Sequence, residues 1–323
     1  MRLVEGQSPA PSLDGKIVAL RDSIEKVIKG KSEAVELSIV SLLARGHLLI
    51  EDVPGVGKTT LAHALARSFD CSFHRIQFTT DLLPSDLTGV YFFNQVNQQF
   101  DFRKGPLFAN VVLADEINRT MPKTQSALLE AMNEGKVTVE DKTYALPQPF
   151  ILIATQNPTE HHGTFPLPES QLDRFLMRIR MGYPGREDEK NILRSHISHE
   201  TAEDLSPVIS GEEILEAQRR VEKVEVNEVV LEYLMKLVEA TRESEYLELG
   251  VSPRGAMALH RGIQALAFLE GRTHCVTDDV KRLALPVFSH RVLLSPKYSS
   301  PLQKSEEAEA IIRDLIGQVE VLL

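Results

Sequence analysis

Short apolar runs alternate with helical patterns along the first 185 residues of the chain. Five of these runs carry Ile, Val, Leu or Phe on both faces: "HLLIE" (47–51), "FHRIQF" (73–78), "NVVLAD" (110–115), "FILIAT" (150–155) and "FLMRIRM" (175–181). Strands of a parallel sheet that helices cover on both sides have this composition, because neither face meets water. The alternation therefore predicts an α/β fold with a doubly wound, parallel sheet.

Helical spacing dominates before the first strand and after the last one. A first helix is predicted from about Lys16 to Val27, and a second helix follows with Ser32 as its N-cap. Beyond "GYPGRED" (182–188) no strand pattern recurs, and the remaining segments have helical spacing. We therefore predict a flexible N-terminal lead (1–15), an α/β core (16–185) and a helical second domain (186–323).

Two insertions interrupt the core pattern. In "DLTGVYFFNQVNQQFDFRKGPLF" (86–108), β-like runs surround a polar tip at Asn94–Gln99. In "EGKVTVEDKTYALPQPF" (134–150), the runs "KVTVE" and "KTYAL" flank Asp141, which is typical of a β-hairpin. Both insertions lie between core elements, so we interpret them as hairpins added to the sheet domain.

Composition narrows the class of protein. Hydrophobic residues make up 42% of the chain and charged residues 25%, as in soluble globular proteins. No apolar run approaches the roughly 20 residues that span a bilayer, and the N-terminus lacks an apolar signal core. We therefore expect a cytoplasmic protein without membrane insertion. The net charge of −10 argues against general binding to nucleic acid.

The segment "EDVPGVGKTT" (51–60) follows the first predicted strand and precedes a helical pattern. This is the context of a phosphate-binding loop, G-x-x-x-x-G-K-[ST], except that Asp52 stands where the pattern has its first glycine. A residue other than glycine is acceptable there if its φ is negative. Gly57 permits close approach of the backbone, Lys58 supplies positive charge and Thr59 can ligate Mg²⁺. With Asp115, the residues predicted to hold the nucleotide are Val53, Pro54, Gly55, Val56, Gly57, Lys58, Thr59 and Thr60.

Acidic and amide residues follow two later strands. Asp115 and Glu116 come at the end of "NVVLAD", and Asn157 comes just after "FILIAT". Asp115 is predicted to hold Mg²⁺ together with Thr59, and Glu116 to orient or deprotonate the attacking water. Asn157 is predicted to position the same water, although a turn-forming asparagine before a proline is the alternative interpretation.

Five separated motifs, in order, resemble those of the MoxR family of AAA+ ATPases: "EDVPGVGKTT", "GPLFANVVLADEINR", "ALLEAMNEGKVTV", "FILIATQNP" and "LPESQLDRF". The resemblance covers nearly the whole chain after about residue 15. It implies a P-loop core with strand order 5-1-4-3-2, an all-helical lid, and assembly into a homo-oligomeric ring that is usually hexameric. Family members commonly have an acidic residue at the position of Asp52, so the phosphate loop is expected to be functional.

The resemblance also assigns arginines. Arg174 in "LPESQLDRF" matches the arginine finger, which reaches the γ-phosphate of a neighbouring subunit. Arg254 in "GVSPRGAMAL" matches the sensor arginine, which implies contact with the bound nucleotide from the lid. Arg119 is a second candidate for a contact between subunits, and Gln77 is a candidate to hold Glu116 in an inactive pose.

The purpose of hydrolysis is implied by the resemblance alone. MoxR-type ATPases are described as chaperone-like and are often encoded near proteins with a von Willebrand factor A domain. We therefore expect ATP hydrolysis to remodel or mature protein partners, with a von Willebrand factor A domain protein as one candidate. A nucleotide-gated scaffold without turnover is disfavoured, because the full set is retained: Lys58, Asp115, Glu116, Asn157 and Arg174.

Two other functions occur in the same clade. A nucleic-acid motor needs basic hairpin tips that grip phosphates, but the tips here read "NQVNQQ" (94–99) and Glu140–Lys142. A metal-chelatase motor subunit needs a dedicated magnesium- or cobalt-inserting partner and uses ATP only in its presence. Both remain alternatives to the chaperone-like function.

Overall fold

A computed structural model of the chain describes residues 12–157, 163–190, 194, 202–297 and 304–320. Most of the predicted lead, residues 1–11, lies outside these ranges. The rest of it is shorter than predicted, because the first helix already begins at Leu13. The Ser12 hydroxyl accepts a hydrogen bond from the Gly15 backbone N–H at 3.3 Å, which caps this helix three residues before the predicted start.

Strands and helices alternate along the first part of the chain and helices dominate the second. The strands are β1 (Leu48–Glu51), β2 (Phe73–Gln77), β3 (Gly89–Asn94), β4 (Gln99–Lys104), β5 (Val111–Asp115), β6 (Lys136–Val139), β7 (Lys142–Ala145), β8 (Ile151–Gln156), β9 (Met177–Ile179), β10 (Leu247–Leu249) and β11 (Leu293–Leu294). The α-helices with both ends in the described ranges are α1 (Leu13–Val27), α2 (Ser32–Leu43), α3 (Lys58–Ser68), α4 (Pro84–Thr88), α5 (Pro122–Glu134), α6 (Glu169–Leu172), α7 (Gly211–Val221), α8 (Glu228–Glu243), α9 (Pro253–Leu269), α10 (Thr277–Phe288) and α11 (Lys304–Gln318). Lys31, and not Ser32, occupies the N-cap of α2.

The core is a five-stranded parallel sheet in the order β2-β5-β8-β1-β9. Numbered among themselves along the chain, these strands have the order 5-1-4-3-2, which confirms the predicted fold. Alternate residues enter two different hydrophobic cores, because successive side chains of a strand point to opposite faces. Leu113 and Ile153 pack on one face, whereas Val112 and Leu152 pack on the other, and all four are fully buried.

Both insertions form antiparallel hairpins, as predicted. The first pairs β3 with β4 and the second pairs β6 with β7. Aromatic side chains join the two hairpins: Phe102 stacks on Tyr144 with ring centroids 4.4 Å apart, and the hydroxyl groups of Tyr91 and Tyr144 are hydrogen-bonded. The insertions are therefore one packed unit on the sheet domain.

The region beyond residue 202 is mainly helical, with one addition that the sequence pattern did not predict. The short strands β10 and β11 pair in an antiparallel manner. Strands of two and three residues are too short to produce a recognisable alternation, which explains why the prediction was all-helical. The apolar core of this region is continuous with the core on one face of the sheet, so the boundary at 185/186 stays a prediction.

Buried charges attach the C-terminal helix to the sheet. The Arg178 guanidinium on β9 lies 3.2 Å from the Glu51 carboxylate and 3.2 Å from the Glu309 carboxylate of α11. The Ser305 hydroxyl also donates to Glu51 at 2.8 Å. These contacts hold α11 beside the carboxyl ends of β1 and β9.

Within the described ranges, no helix combines the length and the apolar character that crossing a membrane would require.

His47 connects the amino end of β1 to two neighbouring elements. Its Nε2 lies 2.9 Å from the Met132 carbonyl oxygen, and its Nδ1 accepts the Leu152 backbone N–H at 3.0 Å. The ring is therefore the neutral tautomer with its proton on Nε2. Burial lowers the pKa of His47 to about 4, against the opposing effect of the bond to Met132, and the charge of Arg261 lowers it slightly further.

We expect His47 to make the fold sensitive to acid. Its folded-state pKa lies below the unfolded value, so between about pH 6.5 and pH 4 only the unfolded chain takes up the proton. Stability present above that window is lost as the pH falls through it, by up to about 3 kcal/mol. Urea denaturation at pH 7.5 and pH 5 will test this against His47→Asn, which retains one donor and one acceptor. An equal pH dependence in both proteins would contradict the assignment.

Candidate active site

The loop between β1 and α3 has the backbone of a phosphate cradle. Gly55 and Gly57 have φ angles of +84° and +95°, which disfavour any residue with a side chain. A Cβ at Gly55 would meet no atom within 4 Å, and one at Gly57 would meet only the Met181 methyl group, at 3.8 Å. The space beside both glycines is thus open, and the loop leads into the N-terminus of α3, where backbone N–H groups and the helix dipole favour an anion.

Lys58 lies at the start of α3, buried, with its ammonium group inside the loop. Its Nζ donates to the Asp52 backbone carbonyl at 2.9 Å. Burial lowers the pKa of Lys58, and the carboxylates of Asp115, Asp52 and Glu116 act in the opposite direction. A cation surrounded by carboxylates at an open loop fits the phosphates of a magnesium nucleotide, whose metal adds further positive charge.

Asp52 satisfies the condition under which its position tolerates a side chain, since its φ is not positive. Its carboxylate is buried and Oδ1 accepts the Val53 backbone N–H at 2.8 Å. Val53 was predicted to contact the nucleotide, but in this structure its N–H is already bound. The other predicted loop residues, 54–60, lie in the turn and the first turn of α3.

Asp115 ends β5 and Glu116 follows it. Oδ1 of Asp115 accepts the Thr155 hydroxyl at 2.5 Å, and the same Thr155 oxygen accepts the Glu116 backbone N–H at 2.9 Å. Oδ2 of Asp115 accepts Arg75 Nη2 at 2.6 Å. Sequence reasoning missed Arg75, because a single arginine in a strand has no pattern; only the adjacent register of β2 and β5 brings it to Asp115.

The Glu116 carboxylate is held by two donors of its own chain. Gln77 Nε2 donates to Glu116 Oε2 at 2.9 Å, and Arg119 Nε lies 2.9 Å from the same oxygen. The contact with Gln77 agrees with the sequence analysis, whereas Arg119, considered there as a contact between subunits, is paired within its own subunit. Glu116 itself has a left-handed backbone, with φ of +59°.

Asn157 follows β8 and is buried beside the same edge of the sheet. β8 lies between β5 and β1 in the sheet, so Asn157 stands between the strand that ends at Asp115 and the strand that leads into the phosphate loop. Parallel pairing thus gathers the loop, Asp115, Glu116 and Asn157 at the carboxyl edge.

Arg174 and Arg254 lie together in a different place. Both line a cavity of about 540 Å³ at the amino ends of β1 and β9, whose further cationic or histidine lining residues are Arg45, His47, His260, Arg261 and Arg291. Among the described residues that line this cavity, none belongs to the phosphate loop. The helix that carries Arg254 begins beside Arg174, so Arg254 lies away from the phosphate loop of its own subunit, and its contact with a bound nucleotide stays a prediction.

Arg174 has an unused donor in this cavity. Its Nη1 donates to the Leu129 carbonyl at 3.0 Å, while its buried Nε has no hydrogen-bond partner within the described part of the chain. A buried guanidinium nitrogen without a partner is costly. The cavity is thus lined by several positively charged side chains, among them Arg174 and Arg254.

A buried ion pair builds this cavity. Arg291 Nε lies 2.9 Å from the Asp173 carboxylate, and the Ser252 hydroxyl, which caps α9, lies 3.2 Å from the same carboxylate. Burial lowers the pKa of Arg291 to about 10, and Asp173 opposes this shift. Asp173 thereby fixes the start of α9, with Arg254, against the segment that carries Arg174.

Comparisons with known proteins agree with this arrangement. Two family models match the chain: the ATPase family associated with various cellular activities (AAA), over residues 47–177, and an AAA lid domain, over residues 239–315. Chaperone MoxR1 of Mycobacterium tuberculosis is 38% identical over 281 residues, which are 84% of this chain and 74% of that protein. The chain belongs to the MoxR family of AAA+ ATPases.

Further similarity extends over almost the full chain. YeaC of Bacillus subtilis is 48% identical over 300 residues, 93% of each protein. A crystal structure from Cytophaga hutchinsonii, provisionally described as an ATPase, is 37% identical with a TM-score of 0.88, over 96% of each chain. Membership of the MoxR family confirms the resemblance seen in the five motifs and the AAA+ fold that it implied.

We expect Asp173→Asn to destabilise this MoxR-family protein by about 3 kcal/mol, because it removes the carboxylate that balances the charge of buried Arg291. Urea denaturation will measure the free energy of unfolding. Glu216→Gln is the matched control: it removes an exposed pair with Arg219 and should cost about 0.5 kcal/mol or less. Equal costs for the two variants would contradict this role of Asp173.

Proposed function

We propose that this protein is a Mg²⁺-dependent ATPase whose active sites are completed between subunits of a homo-oligomeric ring. One observation carries the proposal: the two groups of candidate catalytic residues lie at opposite edges of one parallel sheet. The phosphate loop, Asp115, Glu116 and Asn157 occupy the carboxyl edge, and Arg174 and Arg254 occupy the amino edge.

The separation is too large for one subunit to bridge. His47 lines the arginine cavity, and Asp52 contacts Lys58 in the phosphate loop. The whole of β1 separates His47 from Asp52, which is about 16 Å of extended chain. This exceeds the length of an arginine side chain. A second copy that presents its amino edge to the first copy's carboxyl edge makes a head-to-tail contact, and such contacts form a ring when the rotation between copies closes. Family resemblance favours six subunits.

Each candidate residue has a role in this scheme. Lys58 and the loop N–H groups bind the β- and γ-phosphates of ATP. Thr59 and Asp115 are the residues that would hold Mg²⁺, and a bound Mg²⁺ would supply positive charge beside the transferred phosphoryl group. Asp115 retains lone pairs for this despite its bonds to Thr155 and Arg75.

The remaining residues act on the attacking water and on the developing charge. Glu116 accepts the proton of the water, and Asn157 orients it. Arg174 and Arg254 of the neighbouring subunit stabilise negative charge on the phosphoryl oxygens. In the isolated subunit, Gln77 and Arg119 occupy the Glu116 carboxylate, so it is not available to the attacking water. We infer that assembly or a partner breaks these two bonds.

A chaperone-like use of the energy, on protein partners in the cytoplasm, is the function we favour. Similarity to a protein named Chaperone MoxR1 supports it. The hairpin tips also favour a protein substrate over nucleic acid, since Val96 at the first tip is 95% exposed. A von Willebrand factor A domain protein is one candidate partner. A pull-down with the Glu116→Gln protein in ATP, followed by identification of the retained protein, will test this.

Glu116→Gln should bind ATP with an affinity within about threefold of wild type and lose at least ~100-fold in turnover, because only the base is removed. Isothermal titration calorimetry and phosphate release will measure the two effects. Turnover equal to that of wild type would refute the assigned role of Glu116.

Arg174→Ala should reduce turnover by about 10³-fold in the assembled protein and leave ATP affinity of the isolated subunit nearly unchanged. Mixing it with Glu116→Gln protein should restore part of the activity. At some interfaces, the intact phosphate loop and Glu116 of an Arg174→Ala subunit then meet the intact Arg174 of a Glu116→Gln subunit. Arg219→Ala, on the exposed face of α7, is the control for loss of a surface charge. A mixture without any activity would contradict a site shared between subunits.

A further inference from the structure

The carboxylate of Asp52 binds a segment far from it in sequence. Besides the Val53 N–H, it accepts the backbone N–H groups of Met181 at 2.7 Å and Gly182 at 2.5 Å, both on Oδ2. Residues 181–183, here called the exit segment, lead from β9 towards the helical region. Two successive N–H groups converge on one oxygen because Gly182 has a positive φ of +63°.

A second contact holds the exit segment from the other side. Lys31 Nζ, at the start of α2, donates to the Tyr183 carbonyl at 2.6 Å. The exit segment thus lies between the phosphate loop and the segment before α2. Met181 is buried, and a Cβ placed at Gly57 would meet its methyl group at 3.8 Å. Movement of the phosphate loop at Asp52 or Gly57 would therefore displace the exit segment.

Asp52 also holds the residue that must meet the phosphates. Its backbone carbonyl accepts Lys58 Nζ, while its carboxylate binds the exit segment. Phosphates that enter the loop compete for Lys58 and draw it from this carbonyl. The backbone carbonyl that loses Lys58 and the carboxylate that binds the exit segment both belong to Asp52. Phosphate binding therefore affects both contacts of Asp52.

Charge adds a second link between the two contacts. A carboxylate at the first position of the loop repels a polyphosphate, whereas a glycine at that position does not. The three N–H groups on Asp52 stabilise its charge where it stands. Phosphate binding and retention of the exit segment therefore oppose each other, and such opposition is reciprocal by thermodynamic linkage.

We propose that Asp52 is a positioning residue that couples phosphate binding in the loop to the exit segment, and through it to the helical region. The proposal rests on the proposed ATPase function, because it assumes that the loop binds nucleotide. It explains why an acidic residue replaces the first glycine of the loop: the carboxylate gives up some nucleotide affinity and anchors the segment that leaves the sheet.

Amide hydrogen exchange without nucleotide tests the anchor by itself. Asp52→Asn replaces one acceptor oxygen by an N–H₂ group, and Asp52→Gly restores the usual loop glycine. Both should accelerate exchange of the Met181 and Gly182 amides by roughly tenfold or more, with little change in the central strands β5 and β8. Asp278→Asn, at an exposed site on α10, is the control and should leave the exit segment unchanged. Unaltered exchange in both Asp52 variants would overturn the proposal.

The same measurement with ADP or a non-hydrolysable ATP analogue tests the coupling. In wild type, nucleotide should change exchange of the Met181 and Gly182 amides, and in both Asp52 variants this dependence should disappear. Calorimetry should show nucleotide bound roughly threefold to tenfold more tightly by the variants than by wild type. A purely structural role of Asp52 would raise exchange but leave nucleotide affinity unchanged, and that result would overturn the proposal.

The wild-type protein alone decides the outcome if both variants fail to fold. Nucleotide that protects the phosphate loop without affecting residues 181–183 refutes the coupling and leaves the ATPase proposal intact. Nucleotide that changes exchange nowhere in the chain refutes the ATPase proposal, and the coupling with it. The two failures are therefore distinguishable in a single data set.

Discussion

Parallel pairing of five strands is the constraint on which the rest of this structure depends. Since every core strand runs in the same direction, all carboxyl ends meet at one edge and all amino ends at the other. Residues that follow β1, β5 and β8 lie at the carboxyl edge, and residues that precede β9 lie at the amino edge. The sheet thus brings together residues 99 positions apart in sequence, Lys58 and Asn157. It equally separates Arg174 from the loop of its own chain.

Hydrogen-bonded carboxylates connect this sheet to the elements around it. Asp52 binds the exit segment at the carboxyl edge, Asp173 holds buried Arg291 and the start of α9 at the amino edge, and Glu51 joins β9 to α11 through Arg178. A carboxylate accepts several bonds from a small region, so a single residue can join three segments. The helical region is therefore attached at both edges of the sheet, and each attachment stands next to candidate catalytic residues.

Much of the fold was predictable because its sequence signals are local and repeated. The strands in the middle of the sheet are apolar on both faces, whereas the edge strand β2 is largely exposed, and the tips of both hairpins are mostly polar, so element types followed from periodicity. The phosphate loop and the pair Asp115–Glu116 were recognisable because spacing within a loop or strand end is preserved on folding. Helix ends were less certain: α1 begins three residues before the predicted Lys16, where Ser12 caps it. The pair β10–β11 escaped prediction because each strand has at most three residues.

The sequence by itself determined the fold class, the chemistry of the loop and the identity of most candidate site residues, because each depends on neighbours in the chain. Only the tertiary structure decided which of those residues face one another. Arg75 reaches Asp115, Gln77 reaches Glu116, and Asp52 reaches Gly182 through strand register and chain path, which leave no local pattern. The side of the sheet on which Arg254 lies was likewise decided by where α9 packs. A motif specifies what a residue can do, and the packing of distant segments specifies on which partner it acts.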